Sequence, residues 1–576
     1  MSFSPQMFFR KSFFVVLISG SVLFFSACQK NVVSGLPSAL VMRDGVQAET
    51  FVPSDFFMVV KLGTDDSGQQ KNLAQLAKYF PQTSQNQFME QVLQGFDTAL
   101  AVYGMTYQAD VRPFVGEHPQ ALVAFGGKSG MTSPDMVTVL SLQDTGKADA
   151  FFQKLTSKNE YQKTVYGGVD VYSHPNGQSF LSRISDALVI TNTLPVMKTA
   201  IDHARDVKGT FLENKNYQKV LAKSPANVGF FYFDLKNLLQ MMAKNPETQG
   251  MFDDAMLKKT PMLAALEGEY FVLSAEEKGL RLSVKVFGDE EILKKSDVNF
   301  ATFSGQDSYL YKKLPFDQSI FFVEGYGLKK MLEYDFKLWD EVESTKMIHE
   351  SLKSFFAAQG MDFDKDVMAL LDKGAALGMK KTDGMVPAFG LFIETSSNPD
   401  AAKKLISKLD ETFHRYVEQL KTQNPAFASA VTFEQKDVGG APAGVVHFRS
   451  ESLPKEAKLP LNVNAEVYYG TSKDQLSFTT LYADFDKAFG GKTLADDENF
   501  KATRDALGLS PKGFFYMSPS TLGSYLGFFT SLNPSADKSS LELLRSYLSP
   551  MKGFLMTAKK VSAGEAEMEG FLLIKN

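Results

Sequence analysis

Thiol chemistry is almost absent from this chain: Cys28 is the only cysteine among 576 residues. No intramolecular disulfide can form, so nothing covalent staples the fold. The same count excludes a cysteine zinc site and a CxxC redox pair. Histidine is scarce as well. His118, His174, His203, His349, His414 and His447 never fall within helical or loop spacing of one another, which leaves no sequence-local metal site. Positive charge is not in excess. The formal net charge is −5, and residues 1–27 carry only Arg10 and Lys11, so the remainder is two charges more negative. Such a balance lacks the electrostatic footprint of a nucleic-acid binder. Long apolar runs are missing beyond the first residues, so the body is expected to fold in water. Phenylalanine, by contrast, is abundant at 50 residues, and the cores are expected to be rich in aromatic rings.

Hydrophobic residues at 44% and charged residues at 22% give an ordinary globular balance. The length exceeds what one hydrophobic core organises, so two or more domains are expected.

The first 28 residues read in three parts. Met1 to Lys11 carries only positive charge, Ser12 to Phe25 is an apolar run, and Phe25-Ser26-Ala27-Cys28 ends it with small residues. That order is what a secretory signal presents. The run is shorter than the ~20 residues that span a bilayer comfortably. The segment resembles the lipobox of bacterial lipoproteins. The resemblance implies a diacylglyceryl group, with palmitate-type acyl chains, on the Cys28 sulfur and cleavage after Ala27. Two chains give stable anchoring where one gives only marginal binding. Residues 29–50 then form a tether whose flexible end-to-end distance is about 25 Å. Gln29, standing where an inner-membrane retention signal often has aspartate, points to an outer membrane or cell surface.

The body of the chain is written twice. Pro53-Ser54-Asp55 before Phe56 to Leu62 matches Pro315-Phe316-Asp317 before Ser319 to Val323. Gly104-Met105-Thr106-Tyr107 with Asp110-Val111 matches Gly360-Met361-Asp362-Phe363 with Asp366-Val367. Asn216-Tyr217 and Gly229-Phe230-Phe231-Tyr232 match Asn499-Phe500 and Gly513-Phe514-Phe515-Tyr516. The order is kept and the offsets change only modestly, which is the mark of an internal repeat. The division is therefore 1–27 signal, 28–50 lipidated start and tether, 51–290 first unit, 291–304 junction, and 305–576 second unit. Gly288 to Gln306 is the polar stretch that suggests the junction.

Within the first unit, strand and helix periodicities alternate. Phe56 to Leu62, Ala121 to Phe125 and Met136 to Leu142 read as strands, with helices at 68–80, 86–103 and Ala148 to Ser157. Lys163 to Ser173 reads as a strand crossed by Gly167-Gly168. A hairpin is expected at 179–192, then helices at 195–206 and 214–222, the strand Val228 to Phe233, two further helices and the hairpin Tyr270 to Phe287. The second unit closes with Phe554 to Ile574. The fold class is α+β: two related units, each a mostly antiparallel sheet, partly ferredoxin-like βαββαβ, with helices on one face.

Gly104 to Gly116, Tyr166-Gly167-Gly168-Val169 and Ser185 to Asn192 resemble the uncharacterised domain of unknown function 3352 family. The second copy keeps Gly360 to Val367, with Ala369 and Asp372 where the first has Pro113 and Gly116. The resemblance implies a shared architecture and brings no activity or catalytic residue.

Catalytic signatures fail one by one. Asp362, Asp364 and Asp366 alternate like a calcium loop, but the sixth and twelfth places hold Val367 and Lys373. These acids suit a helix start. Gly490-Gly491-Lys492-Thr493 and Gly126-Gly127-Lys128-Ser129 lack the distal glycine of a Walker loop, with Asp486 and Leu122 there instead, and read as turns. No GxSxG occurs, and paired acids carry no motif of their own. Leu238, Leu239, Met241, Met242, Met251, Met256 and Met262, with the stretch from Leu522 to Tyr547 in the second unit, form apolar stripes. They read as amphipathic helices covering their own sheet, or as a groove for a lipid tail or unfolded segment. The sequence thus leads to a lipid-anchored, extracytoplasmic binding or scaffolding module. It implies no cofactor, metal or catalytic residue, and its expected partners are the membrane and an envelope protein or apolar ligand. An envelope hydrolase assembled only in three dimensions is the alternative.

Overall fold

The structure, a computed structural model, describes residues 47–574 apart from 64–65, 83–106, 117–119, 128–133, 158–160, 176, 178, 222–225, 245–260, 297–298, 304–306, 341–342, 383–385, 424–428, 439–440, 454–463, 473–474, 481–490 and 527–537. Cys28, the tether to residue 46 and the helix expected at 86–103 lie outside the described residues. The chain divides into two compact units at Asp289–Glu290. The stretch expected as a junction carries a helix, Glu290–Lys295, and a short turn of helix, Phe300–Phe303.

The first unit contains β1 (Phe56–Leu62), β2 (Ala121–Gly126), β3 (Asp135–Ser141), β4 (Gln162–Tyr166), β5 (Val169–Ser173), β6 (Phe180–Ile184), β7 (Ala187–Thr191), β8 (Gly229–Phe233), β9 (Leu266–Ala275) and β10 (Gly279–Gly288). Pairing runs β4-β5-β6-β7-β3-β2-β1-β8-β9-β10, antiparallel at every step. The second unit contains β11 (Ser319–Gly325), β12 (Ala375–Lys380), β13 (Ala388–Glu394), β14 (Val431–Val438), β15 (Ala441–Arg449), β16 (Asn464–Ser472), β17 (Gln475–Thr479), β18 (Phe514–Met517), β19 (Gly553–Val561) and β20 (Glu565–Leu573). Its pairing runs β14-β15-β16-β17-β13-β12-β11-β18-β19-β20, again antiparallel throughout. Taken in chain order, the two sequences of strands are the same.

The α+β class holds, and three finer expectations change. A split βαβ arrangement would separate the first two strands, whereas β1 lies directly against β2. Lys163 to Ser173 is a hairpin and not one strand. Gly167 and Gly168 take φ of +56° and +72°, the left-handed pair that a two-residue turn requires. Helices pack against both faces of each sheet. Successive side chains of a strand point to opposite faces, and on β3 and β7 both sets are apolar. Val137, Val139, Ala187 and Val189 join a core under the helices Leu194–His203 and Lys215–Leu221. Leu140, Leu188 and Ile190 join another with Phe114, Phe151, Phe152 and Leu155 of Arg112–Val115 and Thr145–Ser157. The second unit repeats this division. Phe392 packs toward Phe500 and Leu507 of Glu498–Leu507, while Ile393 packs toward Ala401, Ala402 and Leu405 of Pro399–Gln423.

Local chemistry fixes the helix ends. Asp66 accepts from Gln69 N at 2.8 Å, and Asp497 accepts from Phe500 N at 2.8 Å, each satisfying a free N–H of the first turn. Gly508, at φ +74°, closes its helix in the left-handed conformation.

Candidate functional site

The acids read as a helix start take that role. Asp362 accepts from the N–H groups of Asp364 and Lys365 at 3.0 Å, and Asp366 accepts from Asp362 N at 2.8 Å. Asp366 also pairs with Lys404 of the following long helix, which holds its carboxyl below the ordinary range. Asp110, its counterpart by sequence, pairs with Lys154 of Thr145–Ser157. In both units this acid thus ties a helix entrance to the next helix. Of the two GK[ST] segments, Thr493 caps a short helix reciprocally with Asp496, and Gly127 forms a bend at φ +81°; Lys128 and Gly490 lie outside the described residues.

Histidines stay apart, and among the described residues no three metal-ligating side chains converge. His174 packs edge-on to Tyr161. Burial pushes the His203 imidazole below its usual value. His349 is buried, stacked on Phe336 at 4.3 Å and bonded through Nδ1 to Asp340 at 2.8 Å. His414 Nδ1 lies 3.0 Å from Asp410 O. His447 sits between two carboxylates, Nδ1 at 3.0 Å from Glu466 and Nε2 at 3.1 Å from Glu434. His118 lies outside the described residues.

Sequence reasoning missed the buried charges. In the first unit Lys61 pairs with Glu49 on the short helix Ala48–Phe51, and Tyr217 Oη donates to the same Glu49 oxygen at 2.6 Å. Glu49 is 1% exposed and Tyr217 is fully buried. The Lys61 ammonium also stands 5.5 Å from the ring centres of Tyr217 and Phe230, a favourable cation–ring geometry. In the second unit Glu324, 1% exposed, accepts from the N–H groups of Tyr309, Leu310 and Tyr311 at 2.8, 3.1 and 3.0 Å, and from the Tyr326 hydroxyl. Burial nonetheless pushes its carboxyl above the ordinary range. The available signal was one charge inside an otherwise apolar strand: FFMVVKL in β1 and SIFFVEG in β11.

One apolar surface stands out. Across five strands of the second unit, two rows of side chains lie opposite one another on the face turned away from Phe322 and Phe514. Met556, Phe515, Val323, Leu377 and Leu391 form one row, and Phe554, Met517, Phe321, Met379 and Phe389 the other. Leu377 is 42% exposed, and Val323 and Phe389 are 37% exposed. The row in the first unit, Phe271, Phe231, Val60 and Val123, is more covered, with Val60 buried. The described parts of the two apolar stripes lie beside strands of their own sheets. Leu238, Leu239, Met241 and Met242 of Leu235–Lys244 are half-buried beside β1 and β9. Pro519–Ser524 lies beside β11 and β19. Met251, Met256 and residues 527–537 lie outside the described residues. Among the described residues no helix is long and apolar enough to cross a membrane.

No curated protein matches the chain. Solved structures of crystal forms III and I of TP0453 align with TM-scores of 0.24 and 0.23. They are 10% and 9% identical, covering 45% and 44% of this chain and 84% and 81% of theirs. The family described as "Protein of unknown function (DUF3352)" matches residues 13–573, and the chain belongs to that family.

Proposed function

We propose that this protein is an extracytoplasmic lipoprotein, anchored through acyl chains on Cys28, whose body is a duplicated, non-catalytic module that binds an acyl chain of the envelope. The observation that carries the binding reading is the two-row apolar face centred on Val323, Leu377 and Phe389. Contiguous exposed apolar surface marks an interaction site. The chemistry of a sheet face favours an acyl chain over an extended peptide. Every strand of β12-β11-β18 already spends its backbone groups on the ladder, so a peptide laid across it would bury its own N–H and C=O groups unpaired. An acyl chain has none to satisfy. Duplication is supported by the shared strand order and by the matched pairs Asp110–Lys154 and Asp366–Lys404.

Acyl-free protein carrying Cys28→Ser tests the reading. Titration with a fluorescent fatty acid should saturate, and Leu377→Asp with Phe389→Asp should weaken binding at least tenfold with the fold retained. Absence of uptake by the parent, or equal uptake by the double variant, would rule it out. Anchoring is tested separately by labelled-palmitate incorporation in cells, expected in the parent and absent from the serine variant.

A further inference from the structure

Lys61 and Glu324 occupy one place in two sheets. Lys61 lies opposite Leu122 of β2 and Phe230 of β8, and Glu324 lies opposite Ala376 of β12 and Phe514 of β18. Each charge faces the lead segment that enters its own sheet, a short helix ending just before a proline, Pro53 or Pro315. The polarity is reversed. The first lead brings the Glu49 carboxylate to a lysine; the second brings three backbone N–H groups to a glutamate. The surroundings change in step. Tyr217, whose hydroxyl serves Glu49, is matched by Phe500, which has no polar atom. Where Glu49 stands in the first lead, the second has Tyr311, its ring packed 5.3 Å from Phe500 and 5.6 Å from Phe514.

We propose that this reversed pair is an address code that lets each sheet accept only its own lead segment. Exchanged leads would set the Glu49 carboxylate against Glu324, and the N–H groups of residues 309–311 against the Lys61 ammonium. Both contacts are repulsive and buried, which is how a repeat whose parts resemble each other discriminates against the wrong partner. The code would keep two similar sheets from exchanging parts while both are incomplete, a characteristic failure of repeated chains.

The test is a graft in the full chain, replacing residues 47–54 by the sequence of residues 309–316, read by hydrogen exchange of β1 and β8 with β11 and β18 as internal reference. The graft alone should lose protection in β1 and β8 by about a hundredfold. Adding Lys61→Glu and Tyr217→Phe, which give the first sheet the second's charge and ring at those two places, should restore most of it. Lys61→Met with Tyr217→Phe controls for packing and should not restore it. Full protection in the graft alone, no recovery with Lys61→Glu, or equal recovery with Lys61→Met would each overturn the proposal.

Discussion

Lys61 and Glu49 form an ion pair sealed inside the first unit, with the Tyr217 hydroxyl on the same carboxylate. A buried pair is costly to break from one side, because the remaining charge has neither water nor partner. Lys61→Met alone should therefore destabilise the first unit by about 3–5 kcal/mol. The double variant Lys61→Met, Glu49→Leu should recover much of that loss. Urea unfolding followed by hydrogen exchange in β1 measures both, and additive losses would contradict the pair as drawn.

Two tyrosines of the same core should respond differently to loss of their hydroxyls. Tyr217→Phe removes a hydrogen bond to a charged group, a cost of about 1.5–3 kcal/mol. The Tyr232 hydroxyl, buried 5.2 Å ring to ring from Tyr217, has no hydrogen-bond partner among the described residues. Tyr232→Phe should be neutral or stabilising, by up to about 1 kcal/mol. Equal losses from the two variants would refute this contrast.

Acidification should move two parts of the second unit in opposite directions. Lys404 holds the Asp366 carboxyl below its ordinary value. Its stabilising contribution is present above that ordinary value and fades as pH falls through the lowered one. Glu324 is shifted upward, chiefly by burial. Its charge costs stability above the raised value, and the cost vanishes as pH falls below the ordinary one. Protection in Phe363–Val367, taken relative to the intrinsic exchange rate at each pH, should fall with acid and lose that dependence in Asp366→Asn. The Glu324 contribution should appear as extra protection of β11 on acidification, absent from Glu324→Gln.

Two glycines on adjacent strands distinguish packing from backbone freedom. A Cβ on Gly378 would fall 2.6 Å from the Phe316 ring, whereas one on Gly325 would meet nothing within 4 Å. Gly378→Ala should cost about 1–3 kcal/mol through overpacking. Gly325→Ala should be neutral or stabilising by roughly 0.5 kcal/mol, since it stiffens the unfolded chain. Thermal unfolding of the two variants gives the comparison.

Local elements were legible where periodicity and turn chemistry agreed. Phe56 to Leu62 forms a strand with those ends, and the hairpin at 179–192 became β6 and β7. Gly167-Gly168 held the signal for a hairpin, but the flanking residues on both sides suit a strand and masked it. The second layer of helices was hidden because alternation was judged by polarity. On β3 and β7 both faces are apolar, and only contacts far along the chain tell which helix covers which face. The buried charges were visible as letters and opaque as partners. Glu49 and Tyr217 are 168 residues apart, and no spacing rule joins them. The apolar face of the second unit was not legible, because Val323, Leu377 and Phe389 come from strands that look like ordinary core.

The strand order also governs when each unit can be finished. β1 sits in the middle of its sheet, held on one side by β2 and on the other by β8, and β11 is placed likewise between β12 and β18. A chain emerging N-terminus first therefore makes its central strand at the outset and its last neighbour only after most of the unit has followed. Pairings between strands so far apart in sequence form slowly. Until β8 arrives, one edge of β1 stands open to any other strand able to pair with it.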